Sequence, residues 1–481
     1  MLPPANQRLM PATELAHSLQ PRHVALISLG GIIGAGLFVG SSAAIHMAGP
    51  SVLVSYALSG LLVFLIMRML GEMAVARPGI GTFAEYAGLG LGPWAAFLTG
   101  WLYWYFWVIV VGVETIAGAT LLQHWIAAPV WSIGLVLIVA MTATNLLSVR
   151  TYGEFEFWFA SLKVAAIAAF IVIGLGFLLF FGPGPASAAH QMTEHGGFFA
   201  KGWIGPVTAI PVVIFSMMGS EVATIAAAET QDPARNVTRA ARTVSLRVLA
   251  FYVASIAIIV SVKPWDSVVP GDSPFTRTLQ VIGIPGAATL MSLIAVTAVL
   301  SCLNSGLYIT SRMLHELARR GDAPALFAAT SARRVPRLGI LFGTAAGLLA
   351  ALASVVSPNG VFLFLINTSG AIILFIYMIV ALAQIRFRQN VEAAGEQLQL
   401  RMWLFPWLSY GVIGGVAAVL VLMAVTPGLS VQLALSALSV AVALAALWLR
   451  RAFSRRRVLK ARAASEKKVV RLRADLAGRS D

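Results

Sequence analysis

The sequence is poor in charged residues. Asp, Glu, Lys and Arg make up 11% of its 481 residues, whereas 59% are hydrophobic. A soluble globular protein carries about 25% charged residues. So few charges cannot cover the surface of a water-soluble protein of this length, and the composition therefore predicts a polytopic membrane protein.

Cysteine is almost absent, since Cys302 is the only one. A single cysteine excludes an internal disulfide and a cysteine metal cluster. No grouping of His, Cys and Asp has catalytic or metal-ligand spacing, and His190 and His195 lie in a polar loop. Residues 1–20 lack the charged and apolar regions of a cleavable secretory signal. We therefore expect no enzyme, no metal, no cofactor and no secretory leader.

Long apolar runs are plentiful. About 20 apolar residues cross a bilayer as a helix, and several runs are separated by Gly-Pro or Pro-Gly breaks. Twelve spans are predicted, at residues 24–45, 50–70, 95–121, 130–148, 155–181, 205–228, 245–262, 286–311, 338–356, 360–384, 404–425 and 431–450.

The basic residues are distributed unevenly between the two sets of loops. One set, together with both termini, carries nearly all of the 34 Lys and Arg residues, and the other carries only Lys201, Lys263 and Arg277. Positive loops mark the cytoplasmic side, so both termini are predicted to be cytoplasmic. The basic tail is interpreted as an anchor to anionic lipid, because no motif supports nucleic-acid binding.

Predicted span 1 has a weak middle, with Gly30, Gly31, Gly34 and Gly36 inside an apolar run. Glycine destabilises a helix interior by roughly 1 kcal/mol relative to alanine. Span 6 has a similar weak segment at residues 215–221. Two interrupted helices five spans apart are typical of transporters with inverted repeats, whose exposed backbone groups bind a small charged solute. Close helix packing through small residues remains the alternative.

Three ionisable residues lie within apolar sequence: Glu114 in span 3, Lys163 in span 5 and Glu221 in span 6. A charge at the bilayer centre costs roughly 2.5–3.5 kcal/mol or more, and such residues usually line a solute or proton path. We predict that these three take part in proton coupling. The alternative is a buried Lys–Glu structural pair.

Span 8 carries polar side chains at Ser301, Cys302, Asn304 and Ser305. Cys302 and Asn304 are candidates for the wall of a substrate cavity. Hydrogen bonds between helices, worth about 0.6–2 kcal/mol each, would account for the same residues equally well. The aromatic segment 100–107 of span 3 is interpreted as packing or as an interfacial belt.

Several segments, in this order and spacing, resemble the amino-acid permeases of the amino acid–polyamine–organocation superfamily. Within that family the resemblance is closest to bacterial 4-aminobutyrate (GABA) permeases, on the segments GWLYWYFWV, SCLNSGLY and LRMWLFPWL. The wider resemblance rests on RHVALISLGGIIGAGLFVGSS, AGP, MRMLGEMA, NLLSVRTYGEFEFWFA, FSMMGSEVATIAAAET and SRMLHELARRGDAP.

The resemblance implies an all-α fold of twelve transmembrane helices, a five-plus-five inverted repeat with broken helices 1 and 6 and two added helices. Its parts would be a cytoplasmic segment 1–23, a transport core 24–384, an additional helix pair 385–450 and a basic tail 451–481.

The resemblance also implies site residues and an energy source. The substrate would be bound by Ile32, Ile33, Gly34, Ala35 and Gly36 of span 1. Phe215 would act as a lid over it, and Ser216, Met218 and Gly219 would lie beside it at the second break. Lys163 matches a lysine thought to replace a sodium ion, which favours a proton gradient, and Glu221 would hold the hinge or face the cavity.

Together these features predict an inner-membrane, proton-coupled importer of GABA, a small zwitterionic amino acid. A permease for neutral or aromatic α-amino acids is the alternative, and a channel or a transport-like sensor fits less well. The sequence makes no prediction of the oligomeric state.

Overall fold

The computed structural model describes residues 33–78, 80, 82–147, 150–181, 184–219, 235, 250–331 and 335–452. Within these ranges every regular element is helical, as predicted. The predicted site residues Ile32 and Glu221, the segment 1–23 and the tail beyond residue 452 lie outside the described residues.

The α-helices follow one another along the chain with short connections. In order they are α1 (Ala35–Phe38), α2 (Gly40–Ala48), α3 (Val52–Ala76), α4 (Phe83–Leu91), α5 (Pro93–Leu122), α6 (Val130–Leu147), α7 (Arg150–Gly176), α8 (Gly184–Glu194), α9 (Gly205–Thr208), α10 (Ile210–Ser216), α11 (Ala250–Val262), α12 (Pro274–Ile282), α13 (Ala287–Arg319), α14 (Arg337–Ala353), α15 (Pro358–Ala393), α16 (Trp407–Val425) and α17 (Ser430–Ala452).

Seven helical segments in the described ranges are long and apolar enough to cross a membrane: Gly40–Ala76, α5, Trp158–Phe181, α13, α15, α16 and α17. Helices α6, α11 and α14 are apolar but shorter. The chain is therefore a polytopic membrane protein. The count of twelve spans and the inverted repeat stay predictions, because parts of predicted spans 1, 6 and 7 lie outside the described residues.

Helix α5 occupies the centre of the bundle and packs against α13, α14 and α15. Its start follows from the sequence, because Pro93 at the first turn has no N–H that would need a partner. Helix α15 starts at Pro358 in the same way, and the Ser357 hydroxyl caps it by accepting from the Gly360 N–H at 3.1 Å. The segment Pro358-Asn359-Gly360, between the predicted spans 338–356 and 360–384, is thus a helix start.

Charged residues gather where the helices end. Arg77 pairs with Glu396 at 2.8 Å and Arg320 pairs with Glu85 at 2.7 Å. These contacts join loops that the charge distribution places on one side. On the opposite side the Lys201 ammonium lies 5.1 Å from the Trp265 ring centre. The structure therefore brings the basic segments after predicted spans 2, 8 and 10 to one end of the molecule.

A buried polar network fastens α3 to α15 and to the connection that follows α15. The Glu72 carboxylate is fully buried, and it accepts hydrogen bonds from the Gln384 amide at 2.9 Å and from the Met402 N–H. The Arg388 guanidinium lies 3.5 Å from the same carboxylate. Because a buried charge is tolerated only when it is paired and hydrogen-bonded, this network holds the basic end of the bundle in one arrangement.

Helix α10 is positioned by a close contact with α15. A Cβ atom built on Gly370 would lie 2.2 Å from the Pro211 carbonyl oxygen, which no real side chain tolerates. The missing side chain thus lets the backbones of α10 and α15 touch.

Gly370→Ala should destabilise the protein by about 1–3 kcal/mol, because overpacking must push α10 away from α15. The measurement is the midpoint of thermal unfolding in detergent. Gly414→Ala on α16 is the matched control, because nothing lies within 4 Å of its added methyl group. Equal midpoints for the two variants would contradict this account of the contact.

Candidate functional site

The first interrupted segment lies at residues 34–40. Gly34 has extended backbone angles, and its carbonyl accepts from the Leu37 and Phe38 N–H groups at 3.3 Å, so α1 begins directly after it. Val39 then departs from helical angles and separates α1 from α2. The break predicted for span 1 is therefore present in the residues that the structure describes.

The second interrupted segment ends α10 at Ser216. Met217 and Met218 form a turn, and Gly219 follows with φ of +106°. A carbonyl at a helix end lacks its intrahelical partner, and the Tyr252 hydroxyl supplies one by donating to the Ser216 carbonyl at 2.6 Å. The break predicted for span 6 is present at its first residues.

The two interruptions touch each other. A Cβ atom on Gly36 would lie 2.6 Å from the Ser216 Cα and 3.2 Å from the Phe215 ring. The first distance involves backbone, which cannot move aside as a flexible side chain can. Glycine at position 36 is therefore required for this contact.

Glu114 of α5 reaches into the first interruption. Its carboxylate is 1% exposed and accepts from the Ala35 N–H, with both oxygens 3.1 Å from that nitrogen. The Cys302 thiol on α13 is a further hydrogen-bond partner of the carboxylate. A Cβ on Gly34 would lie 2.7 Å from the Glu114 Oε1, so glycine also makes room for the carboxylate. The buried acid thus satisfies a free donor at the start of α1.

Lys163 of α7 also contacts α13. Its ammonium is fully buried and donates to the Ser301 hydroxyl at 2.9 Å. Ser301 and Cys302 are adjacent in sequence, so one helix carries the partners of both buried ionisable residues. Lys163 also interacts with Glu114 electrostatically. The structure therefore places Lys163 near Glu114, with partners on adjacent residues of α13, although Lys163 does not line the small cavity between the two interruptions and α5.

A small cavity lies between the two interruptions and α5. Its volume of about 20 Å³ leaves room for about one water molecule. Seven predicted site residues line it: Gly34, Gly36, Glu114, Phe215, Ser216, Met218 and Cys302. In this conformation the cavity is too small to hold an amino acid.

Three lining residues of the cavity were not predicted as site residues. Phe106, Trp107 and Val110 form its α5 wall, and the Phe106 ring lies 6.1 Å from the Phe215 ring. The signal was present in the sequence, because these positions precede Glu114 by four, seven and eight residues and so share its helix face. The aromatic segment of α5 thus includes a cavity wall as well as packing residues.

The other predicted site residues lie beside the cavity or away from it. Ile33 is buried in the hydrophobic core, and Gly219 ends the turn after α10. The Asn304 amide oxygen accepts from Asn145 at 2.6 Å and from Thr144 at 3.3 Å, both on α6. Residues two apart on a helix point in different directions, so Asn304 faces α6 while Cys302 faces the cavity.

Tyrosines on neighbouring helices hold the second interruption in place. Tyr252 of α11 binds the Ser216 carbonyl, and the Tyr377 hydroxyl of α15 donates to the Met218 sulfur at 3.2 Å. Both side chains are at most 3% exposed. The unwound segment is therefore anchored by side chains that no local sequence pattern connects with it.

The amino-acid sequence has clear counterparts among known proteins. The family model described as "Amino acid permease" matches residues 23–460. The gamma-aminobutyric acid permease of Bacillus subtilis strain 168 is 48% identical over 413 residues, which cover 85% of this chain and 88% of the relative. The gamma-aminobutyric acid permease of Escherichia coli K12 is 44% identical over 419 residues, covering 86% and 90%.

A more distant relative has a different name. An aromatic amino acid transport protein of Corynebacterium glutamicum is 36% identical over 415 residues, covering 85% of this chain and 91% of the relative. The predicted resemblance is confirmed by a family match over nearly the whole chain and by these relatives. This chain therefore belongs to the amino acid permease family of transporters.

Proposed function

We propose that this protein is a proton-coupled symporter that imports GABA across the inner membrane by alternating access. The observation that carries the proposal is the contact between the Glu114 carboxylate and the Ala35 N–H, in the cavity between two interrupted helices. The names of relatives at 44% and 48% identity support GABA as the substrate.

The Glu114 contact suggests how a proton is coupled to substrate binding. The N–H groups at the start of a helix attract a carboxylate, and here the protein's own carboxylate occupies that place. A substrate carboxylate arriving at the same N–H groups meets a like charge, and two carboxylates at one site cannot both stay ionised without a large cost. A proton on Glu114 removes the repulsion, so substrate and proton bind together.

Lys163 supplies the balancing charge. While Glu114 is ionised, the nearby ammonium partly offsets the cost of burying a carboxylate. When Glu114 takes up a proton, Lys163 becomes the uncompensated charge, and the substrate carboxylate then provides the compensation. The balance applies locally, around the first interruption, where the carboxylate of zwitterionic GABA binds and its ammonium does not. There the empty, unprotonated state and the loaded, protonated state each pair one carboxylate with Lys163, whereas each mixed state leaves one charge unpaired.

Phe215 is proposed to be the lid. Its ring packs on Phe106 and against Gly36, and the cavity behind it has a volume of about 20 Å³. GABA is larger than one water molecule, so Phe215 must swing away before the substrate enters. Ser216, Met218 and Gly219 form the turn on which it moves, and Ile32, Ile33, Gly34, Ala35 and Gly36 are proposed to bind the substrate through the backbone.

The amine of GABA is separated from its carboxylate by a chain of methylene groups, so it should bind away from the first interruption. Cys302 and Glu114 are the proposed candidates for this end. Both line the cavity but lie against the first interruption, at Gly34 and Ala35, so either would have to leave that contact to bind the amine. Asn304, which faces α6, could take part only after a rearrangement of its contacts with Thr144 and Asn145.

The remaining parts of the proposal concern architecture and energy source. Twelve spans in a five-plus-five inverted repeat with an added helix pair, and cytoplasmic termini, agree with the meeting of the basic segments after predicted spans 2, 8 and 10 at one end. Glu221 is proposed to act at the hinge beyond Gly219. The proposed mechanism uses a proton gradient and no metal or organic cofactor.

The test of function is uptake by purified protein in liposomes under an inward proton gradient. We expect labelled GABA to accumulate above its equilibrium level and to do so faster at lower external pH. The panel includes phenylalanine, tyrosine, alanine and proline. Preferential accumulation of an aromatic amino acid would replace GABA as the substrate, and no gradient-driven uptake of any amino acid would refute the proposal.

Lys163→Ala should abolish gradient-driven accumulation, because the site loses its balancing charge. Exchange of labelled for unlabelled GABA across the membrane is measured in parallel, because it needs binding without net proton flow. Lys201→Ala, which removes an exposed lysine at the opposite end of the bundle, is the control and should accumulate GABA normally. Undiminished accumulation by Lys163→Ala would disprove the coupling role.

Glu114→Gln keeps the size of the side chain but cannot ionise. We expect uptake to lose its dependence on external pH and accumulation to fall to the equilibrium level, because glutamine resembles the protonated acid but cannot release the proton that couples uptake to the gradient. Glu194→Gln, in an exposed position, is the control. If Glu114→Gln retained the wild-type pH profile, Glu114 would not be the proton carrier, and if Cys302→Ala also left uptake unchanged, neither residue would bind the amine.

A further inference from the structure

A much larger cavity than the candidate site lies elsewhere in the bundle. It has a volume of about 890 Å³, within the range of pockets that enclose a whole small ligand. It lies between α5, α15 and α17 and is closed at one end by the connection after α13. We call this cavity the α17 crevice. Its walls carry neither interrupted segment, so it has no part in the proposed GABA site.

The walls of the α17 crevice are apolar and aromatic. Trp101 and Trp104 come from α5, Phe364 comes from α15, and Leu438 and Val442 come from α17. Leu438 and Val442 are 57% and 59% exposed. In a bilayer such a surface contacts lipid tails, so a lipid chain fits its chemistry and an aqueous solute does not.

Two polar contacts hold α17 against the bundle and leave the crevice open between them. Near the middle, the Ser436 hydroxyl donates to the Thr368 carbonyl at 3.2 Å. At the end, the Arg450 guanidinium pairs with the Asp322 carboxylate. Between these points the side chains of α17 do not fill the space toward α5.

The crevice is longer than the hydrocarbon part of one lipid leaflet is thick. Its lining on α17 extends from Leu435 to Arg450, about 22 Å at about 1.5 Å per residue. Half of a hydrocarbon core is about 15 Å thick. An acyl chain that enters at the Arg450 end can therefore lie inside the crevice over the whole thickness of its leaflet.

The Arg450 end has the chemistry of a phosphate site. The Arg450 side chain is 44% exposed, and its guanidinium lies 5.8 Å from the Phe97 ring centre, at the mouth of the crevice. Asp322 engages one of its nitrogen atoms, Nη1, which leaves other donors for a second acceptor. The Trp101 indole donates to the Asp322 carbonyl at 3.1 Å, as expected of tryptophan at headgroup level.

Charge favours an anionic headgroup over a zwitterionic one. Beyond α17 the sequence continues with Arg455, Arg456 and Arg457. Guanidinium groups bind phosphate through paired hydrogen bonds, and basic residues beside a membrane helix attract anionic lipid. The Asp322 carboxylate is the one acidic group lining the crevice, and Arg450 already neutralises it.

We propose that the α17 crevice binds one anionic phospholipid, with an acyl chain between α5, α15 and α17 and its phosphate on Arg450. The lipid completes the packing of α17, which is held by the two polar contacts and by a few buried apolar side chains such as Ala443 and Leu447. It also touches α5, the helix that carries Glu114. This binding requires neither GABA nor a proton gradient, so it stands or falls independently of the proposed function.

The test is native mass spectrometry of the full chain released from mild detergent after addition of phosphatidylglycerol or phosphatidylcholine with identical acyl chains. We expect one phosphatidylglycerol molecule to remain bound at collision energies that strip phosphatidylcholine. Arg450→Gln should lower the retained fraction about tenfold, the loss expected for one charge-assisted hydrogen bond. Arg451→Gln makes the same charge change outside the crevice and should retain the lipid.

A second pair of variants tests the acyl-chain part of the crevice. Ala446→Phe fills it and should displace the lipid, whereas Ala445→Phe adds the same ring at a neighbouring position that does not line it. If Ala446→Phe fails to fold, Leu438→Trp fills the crevice from another turn. Arg450→Lys, which keeps the charge, should bind more lipid than Arg450→Gln.

Three results would overturn the proposal. They are equal retention of the two lipids, equal loss in Arg450→Gln and Arg451→Gln, and equal retention in Ala446→Phe and Ala445→Phe. Detection of a dimer that Ala446→Phe dissociates, without retained lipid, would assign the crevice to a second copy of the chain instead.

Discussion

The backbone contact between the two interrupted helices is the constraint on which the rest of the site depends. Gly36 and Ser216 approach so closely that a Cβ at position 36 would overlap the Ser216 Cα. This contact places the free backbone groups of both interruptions in one small volume at the centre of the bundle. The Gly370 contact on Pro211 and the bond from Tyr252 to Ser216 then hold α10 from behind. Shape and polarity of the site follow from these contacts.

Glu114 and Lys163 extend that constraint into electrostatics. A helix interrupted in a membrane leaves donors that neither water nor lipid can satisfy, and Glu114 satisfies one of them with a charged side chain. The charge then needs compensation, which Lys163 provides from α7. A substrate that brings its own carboxylate disturbs this balance. Proton coupling is therefore proposed as a consequence of how the break is stabilised.

Two of the cavities in the described part of the protein show how differently its regions meet the membrane. The site between the interruptions is small and has polar groups in its lining, because its backbone groups must find partners inside the protein. The α17 crevice is large and mostly apolar, because α17 leaves space toward α5 between its contacts at Ser436 and Arg450, and the surrounding lipid can supply the missing contacts. The cavity with the larger volume is therefore not the candidate substrate site. Titratable groups and free backbone polar groups distinguish the site.

The sequence by itself determined the class of the protein, the helices and the positions of both breaks. These follow from local properties: apolar length, glycine clusters at residues 34–36, and ionisable residues such as Glu114 inside apolar runs. It also indicated Cys302 through the polar residues of span 8, and Phe215 through family resemblance. Only the tertiary structure decided that Phe106 and Trp107 line the cavity, that Asn304 faces α6, and that Tyr252 and Tyr377 anchor the second break. Those pairings join residues far apart in the chain, and whether two helix faces meet depends on the packing of the whole bundle.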